Sequence, residues 1–320
     1  MPREPELVSV ASPMHDEEDS VTAFHARVAA ALEGVPFELV IADDGSRDGT
    51  GAVLAQLAAE DERVKVVTLA RNFGHQAALT AALEHASGDV VVMMDGDLQD
   101  PPEAIPEMLD RWRDGADVVY AVRSRREGET AFKRRTASWF YRFFRWLADI
   151  DLPPDAGDFR LMDRRPLDAM LAMPERNRFL RGMSVWVGFT QTAITFEREA
   201  RTAGRTKYTL RRMVRFSFDA ITSFSHRPLQ FATLLGFAFS VIAFLAIPLT
   251  IVARYTNIYE RGVPSVIVVV LLLGGIQLIC VGIIGEYVGR IYDEVKRRPL
   301  YVVRERINVA APEREPADSL

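Results

Sequence analysis

Two stretches near the C-terminal end constrain this chain more than any other feature. "LQFATLLGFAFSVIAFLAIPLTIV", Leu229 to Val252, and "VPSVIVVVLLLGGIQLICVGIIG", Val263 to Gly285, contain no charged residue. About 20 apolar residues in a row span the hydrocarbon core of a bilayer, so each run predicts a transmembrane helix. The competing expectation is a pair of core helices, and those would be buried. Pro248 is tolerable near the end of a span. The short loop between the runs carries Arg254, Glu260 and Arg261. The outer flanks carry more cations: Arg211, Arg212, Arg215 and Arg227 before, Arg290, Lys296, Arg297 and Arg298 after. An excess of Lys and Arg marks the cytoplasmic side, which predicts a hairpin in the inner (plasma) membrane with both termini cytoplasmic. The start, "MPREPELVSV", has no long apolar core and predicts no signal peptide.

The expected organisation is a cytosolic domain over 1–200, a juxtamembrane amphipathic segment over 201–228, the hairpin over 229–288 and a cytosolic tail over 289–320. In the first 200 residues strand-like runs alternate with helical patterns. The strands are "LVSVAS", "FELVIA", "VKVVTLA", "DVVVMM" and "DVVYAV". The helices between them are "SVTAFHARVAAAL", "GTGAVLAQLAAE", "HQAALTAALEHA" and "EAIPEMLDRWRD". Continuous Val/Ile/Leu runs suit strands covered on both faces, and the alternation implies an α/β fold with a doubly wound, mostly parallel sheet. The net charge of −5 averages an acidic stretch up to Asp110 against a basic one from Arg111 to Arg227, and so says little about partners. The single cysteine, Cys280, excludes a disulfide within one chain.

Polar residues gather at the carboxyl ends of the strands. Asp16 and Glu17 follow the first, Asp43 and Asp44 end the second, and Arg71 and Asn72 follow the third. Asp95 and Asp97 end the fourth and Arg123 the fifth. Open α/β sheets bind ligands at that edge. If the fourth strand continues through "DGD", Asp95 and Asp97 point to one side. Converging oxygens suit a hard divalent cation that keeps positions for phosphate oxygens, with Gln99 adding a carbonyl. Asp100, before Pro101-Pro102, is expected to cap the next helix. In "ADDGSRDGT" a turn and a capped helix account for Asp48 but leave Asp43 and Asp44, adjacent acids that repel unless bonded to donors. Asp158, in "GDFRLMDRR", reads equally as a surface turn acid or a site residue. The five histidines lack zinc-ligand spacing, and His25 and His85, inside helical runs, are expected to be solvated or satisfied. No G-x-G-x-x-G follows the first strand and no Walker A sequence occurs. Two basic, aromatic segments, Ala131 to Leu147 and Thr206 to Phe224, read as lipid-interface elements rather than nucleic-acid binders, and no nucleic-acid partner is expected.

Taken together, "ADDGSRDGT", "RNFGHQAALTAAL", "MDGDLQDPPE", "GDFRLMDRR" and "RFLRGMSVWVGF…AGRTKY" occur in the order found in family 2 glycosyltransferases of the GT-A fold. With the paired spans, the chain resembles the polyprenyl-phosphate glycosyltransferases, the dolichol-phosphate mannose synthase and bactoprenol glucosyltransferase group. The resemblance implies that Pro13, Glu17, Asp43 and Asp44 hold the nucleoside of a nucleotide sugar, with Arg71 part of the same site. It implies that Asp95, Asp97 and Gln99 organise Mg²⁺ or Mn²⁺ on the diphosphate and that Asp158 occupies the position usually offered as catalytic base. Arg123, the cluster Lys133, Arg134 and Arg135, and Lys207 match cations that hold the acceptor lipid phosphate. The usual P-x-Y-N-E reads Pro13-Met14-His15-Asp16-Glu17 here, so nothing points to a particular base. The expected reaction is inverting transfer of a sugar, UDP-glucose being the first donor considered, to polyprenyl (undecaprenyl) phosphate. GDP-mannose, UDP-N-acetylhexosamine and a modified pentose donor stand behind it, as does a non-catalytic membrane adaptor, and a homo-oligomer is expected. A polyprenyl phosphate has no proton that must be removed at neutral pH, its second pKa being near 6. Asp158 is therefore expected to position more than to deprotonate.

Overall fold

The computed structural model describes residues 3–123, 156–196, 227–255 and 263–309. They fall into two compact units, one holding every described strand and the other holding two long helices.

The first unit is an eight-stranded sheet. Its strands are β1 (Val8–Met14), β2 (Phe37–Asp43), β3 (Val64–Leu69), β4 (Val90–Met93), β5 (Val118–Arg123), β6 (Ala156–Asp163), β7 (Gln191–Phe196) and β8 (Val303–Ile307). They lie in the order β7-β5-β6-β4-β1-β2-β3-β8. The five strands expected from apolar runs are all present. β4, β1, β2 and β3 pair in parallel, and every residue of β1 and β2 is buried, the reason those runs are continuous rather than alternating. β6 is inserted antiparallel between β4 and β5, and β7 lies parallel to β5.

Helices α1 (Val21–Ala31), α2 (Thr50–Glu60), α3 (His75–Glu84) and α4 (Ile105–Arg113) fill the expected crossovers, and α5 (Arg164–Leu171) and α6 (Leu180–Trp186) follow β6. Winding runs outwards from β1 to β2 and β3, then returns through α3 to β4 on the other side of β1. That reversal opens a crevice at the carboxyl ends of β1 and β4, where such sheets hold ligands. The core under it is aliphatic and aromatic, with Phe24, Leu39, Ile41, Leu54, Val92 and Phe159 fully enclosed.

At the opposite edge, one carboxylate sits inside the sheet. Glu38 is 3% exposed and accepts from Ser9 Oγ at 2.6 Å, from Ser87 N and Oγ, and from Lys65 Nζ. These donors meet the cost of burying a charge.

β8 departs from the sequence expectation. Residues 289–320 read as a tail, yet Val303–Ile307 pairs antiparallel with β3 and completes the sheet. Five residues with three charges carry too little apolar pattern to announce a strand, but an edge strand needs only one covered face.

The second unit comprises α7 (Arg227–Tyr255) and α8 (Val263–Lys296), which pack against each other. Both are long and apolar enough to cross a membrane, over Leu229–Ala246 and Leu272–Lys296. They are not core helices: only 6% and 0% of those windows is buried, and Phe237, Phe244 and Leu278 are at least 70% exposed. At 1.5 Å per residue, the 34 residues of α8 reach about 51 Å, well beyond a hydrocarbon core of about 30 Å.

Candidate active site

The loops after β1 and β2 are laced together. Asp16 N donates to Ser46 Oγ (3.0 Å), Arg47 N to Asp16 Oδ1 (2.8 Å), and Glu17 N to Thr50 Oγ1 (2.9 Å). Pro13 is buried at the end of β1, and the Glu17 carboxylate accepts from Ser20 Oγ. Asp48 accepts from Thr50 N at 3.0 Å just before α2, but the cap position is Gly49, so neither Ser46 nor Asp48 is the helix cap. The adjacent acids find backbone donors. Asp43 accepts from Ser46 N at 3.0 Å, and Asp44 accepts from Phe73 N at 2.7 Å and Gly74 N at 2.9 Å. Burial pushes the Asp44 carboxyl up despite those two bonds. Asp44 thus fixes the loop that carries Arg71, whose guanidinium donates to Asn72 O and lies over the Phe73 ring at 4.0 Å.

β4 stops at Met93, so strand alternation does not orient Asp95 and Asp97. They stand instead on a tight turn in which Leu98 has φ 60°. Gly96 packs so closely on β1 that a Cβ there would lie 2.7 Å from Met14 Cε. Gln99 is buried, with its backbone N donating to Asp97 Oδ1 (3.1 Å) and its amide to Asp97 Oδ2 (2.5 Å). The side chain thus turns its NH₂ towards Asp97. The cap position of the next helical turn is Pro101, and Asp100 is buried one residue before it.

Asp158 is no surface acid. It lies on β6, its side chain 12% exposed, facing the start of α3. Its Oδ1 pairs with Arg181 Nε at 3.2 Å, and its Oδ2 lies 3.5 Å from His75 Nε2 and 3.4 Å from Gln76 Nε2. His75 Nε2 is also 3.5 Å from Asp95 Oδ1, so one imidazole bridges the carboxylates of β6 and the β4 turn. Burial alone would raise the Asp158 pKa, but the His75 bond and the charges of Arg181 and Arg160 outweigh it and hold the carboxyl well below its usual range. For His75 burial works the other way, and Asp158 and Asp95 overcome it to push the imidazole up to about 9. Arg160, 2% exposed, donates to Gly157 O at 2.8 Å and to Ser184 Oγ behind the pair.

The structure therefore brings together Pro13, Glu17, Asp43, Asp44, Arg71, Asp95, Asp97, Gln99 and Asp158 at one sheet edge. Arg123 ends β5 at the same edge. Lys133, Arg134, Arg135 and Lys207 lie outside the described residues, as does almost all of the juxtamembrane segment. Sequence reasoning missed His75, Gln76 and Arg181. All three stand inside quoted motifs, "RNFGHQAAL" and "RFLRGM", but His75 was weighed only as a zinc ligand. His25 and His85 are satisfied as expected, by Asp61 Oδ2 at 3.0 Å and Ala81 O at 2.8 Å.

Comparison with known proteins agrees with this geometry. The model of the family described as "Glycosyl transferase family 2" matches residues 9–171. An uncharacterized glycosyltransferase of Bacillus subtilis (strain 168) is 44% identical over 94% of this chain and 94% of its own. The SfII prophage-derived bactoprenol glucosyl transferase of Shigella flexneri is 39% identical over 93% of this chain and 97% of its own. A structure of glucosyl-3-phosphoglycerate synthase from Mycobacterium tuberculosis superposes with a TM-score of 0.47 at 21% identity, over 68% of this chain and 78% of that one, too loosely to bear on chemistry. The chain belongs to glycosyl transferase family 2 and is a glycosyltransferase.

Proposed function

We propose that this enzyme transfers glucose from UDP-glucose to the phosphate of a polyprenyl phosphate, undecaprenyl phosphate in the first instance, at the cytoplasmic face of the plasma membrane. The observation that carries this reading is near full-length similarity to a bactoprenol glucosyl transferase in a chain with two exposed apolar helices. The path of the backbone supports a hairpin. The chain leaves the sheet after β7, forms α7 and α8, and re-enters the same sheet as β8. That path fits both flanks on one side of the bilayer, and their cations favour the cytoplasm as that side.

The reaction breaks the bond from the sugar's anomeric carbon to the donor diphosphate and forms one to an oxygen of the lipid phosphate, with inversion. Negative charge grows on the departing β-phosphate. Asp95 and Asp97 offer oxygen donors that fit a hard divalent ion, Mg²⁺ or Mn²⁺. Such an ion would act as a Lewis acid on the leaving group. Asp158, ionised and bound to two cations, is poorly suited to take a proton and well suited to hold Arg181 and His75 in place. Arg123, the cluster Lys133, Arg134 and Arg135, and Lys207 are proposed to hold the acceptor phosphate; Pro13, Glu17, Asp43, Asp44 and Arg71 are proposed to hold the donor nucleoside. A homo-oligomer is part of the same reading.

The test is transfer of label from a panel of nucleotide sugars to undecaprenyl phosphate, using purified protein with Mn²⁺ or Mg²⁺ and an Asp97→Ala control. Label entering the organic phase from UDP-glucose, and lost in the control, supports the reading. Label from GDP-mannose alone overturns the donor, and no transfer from any donor overturns the function.

A further inference from the structure

We propose that β8, the strand through which the chain returns from its membrane helices, is a wall of the donor cleft, and that Arg304 on it positions the nucleoside diphosphate. The inference rests on the donor reading above. A cleft of about 410 Å³ lies at the carboxyl ends of β2 and β3. Asp43, Ser46 and Arg71 line it from the donor side, and Arg304, Glu305 and Ile307 line it from β8.

The register explains how a strand from the far end of the chain comes to face these residues. Asp43 pairs with Thr68, and Thr68 with Glu305, so one row crosses three strands on a single face. Beyond Glu305 the register shifts, Leu69 pairing with Val303, so Arg304 stands at a bulge that frees its side chain from strict alternation and lets it line the cleft beside Glu305. The strands rejoin where Ala70 N donates to Val302 O at 2.8 Å. Both ends of β8 are then pinned. Tyr301 hydrogen-bonds Glu84, and Arg306 Nε lies 3.4 Å from His85 Nε2. The Asn308 amide donates to Ala58 O at 2.7 Å and Val64 O at 3.0 Å, from a backbone with φ 57° that Asn tolerates better than most residues. Arg304 itself is exposed, on a strand held in place around it. A guanidinium so placed suits a phosphate or a base edge, both acceptor-rich.

Charged residues also protect edge strands from pairing with other chains, and that alone would explain an exposed arginine. Protection and positioning make opposite predictions for ligand binding. The experiment measures binding of UDP and of GDP to the full-length protein in detergent by calorimetry, for wild type and the variants Arg304→Ala, Arg304→Glu and Arg304→Lys. Steady-state transfer and thermal unfolding are followed alongside. Positioning predicts that Arg304→Ala weakens UDP binding about fivefold to twentyfold, the range of one charge-assisted contact. Arg304→Glu weakens it further and Arg304→Lys recovers most of it. The donor KM follows the binding constant while kcat stays within about twofold, and the melting temperature does not move because the side chain is exposed. Equal UDP affinity in wild type, Arg304→Ala and Arg304→Glu would make β8 an edge strand only. A wild type that binds neither nucleotide would overturn the donor reading, and this inference with it.

Discussion

His75 Nε2 lies 3.5 Å from Asp158 Oδ2, joining the first residue of α3 to a strand that follows it by more than eighty residues. Arg181 reaches the other oxygen of the same carboxylate from α6, so Asp158 is held between two cations donated by two helices.

The first consequence concerns Asp158→Asn. Removing one partner of a buried charge pair costs about 3–5 kcal/mol, because the remaining charges lose their compensation. We expect kcat to fall by at least about 100-fold, the rate equivalent of about 2.7 kcal/mol. With its pKa held low, the Asp158 carboxylate stays ionised through neutral pH and is lost only as pH falls below its usual range. It should therefore contribute no limb to the pH–rate profile between about pH 5 and 8. A variant within threefold of wild type, or a limb near neutral pH that vanishes with Asp158, would refute the positioning role.

Gly45 tests the turn between β2 and α2. Its φ is +65°, and a Cβ would lie 2.6 Å from the Arg71 carbonyl carbon, which is backbone and cannot swing away. Gly45→Ala should cost about 1–3 kcal/mol of stability. It should also raise the donor KM by displacing the Arg71 loop. Thermal unfolding and donor titration read the two effects separately.

Glu38 gives a pH signature for the fold. Burial would raise its pKa, but Lys65, Ser9 and Ser87 outweigh that and hold it below its ordinary 4.5. A lowered pKa contributes stability that is present above about pH 4.5 and is lost as pH falls through the folded value. Glu38→Gln should therefore melt lower at pH 7, by about 1–3 kcal/mol for the disrupted buried bonds. The gap from wild type should close as pH drops below about 4.5. A gap that stays constant from pH 7 to pH 4 would contradict this account.

Asn308→Ala removes both bonds from its amide and should loosen β8 by about 1–2 kcal/mol. Hydrogen exchange should quicken over Val303–Ile307 and over β3, while β1 and β4 exchange as in wild type. Unchanged protection of β8 would mean that its ladder with β3 suffices.

Local pattern alone determined the parallel half of this fold and its two long apolar helices. β1, β2 and β4 are covered on both faces, so their runs are mostly apolar, and α7 and α8 are uncharged over spans only a bilayer or a core would require. Polar residues at the strand ends were legible for a related reason, since carboxylates do not end buried strands without donors or cations nearby. Only the tertiary structure decided what β6 and β8 do. β6 carries Asp158 and Arg160 on one face and Asp163 at its end, and three charges in eight residues resemble a turn until Arg181, His75, Ser184 and Trp112 are seen to satisfy them. β8 carries three charges in five residues and becomes a strand because β3 offers an unpaired edge. Sequence periodicity reports whether a residue meets water or core, whereas compensation between charges depends on partners that only the folded chain brings within reach.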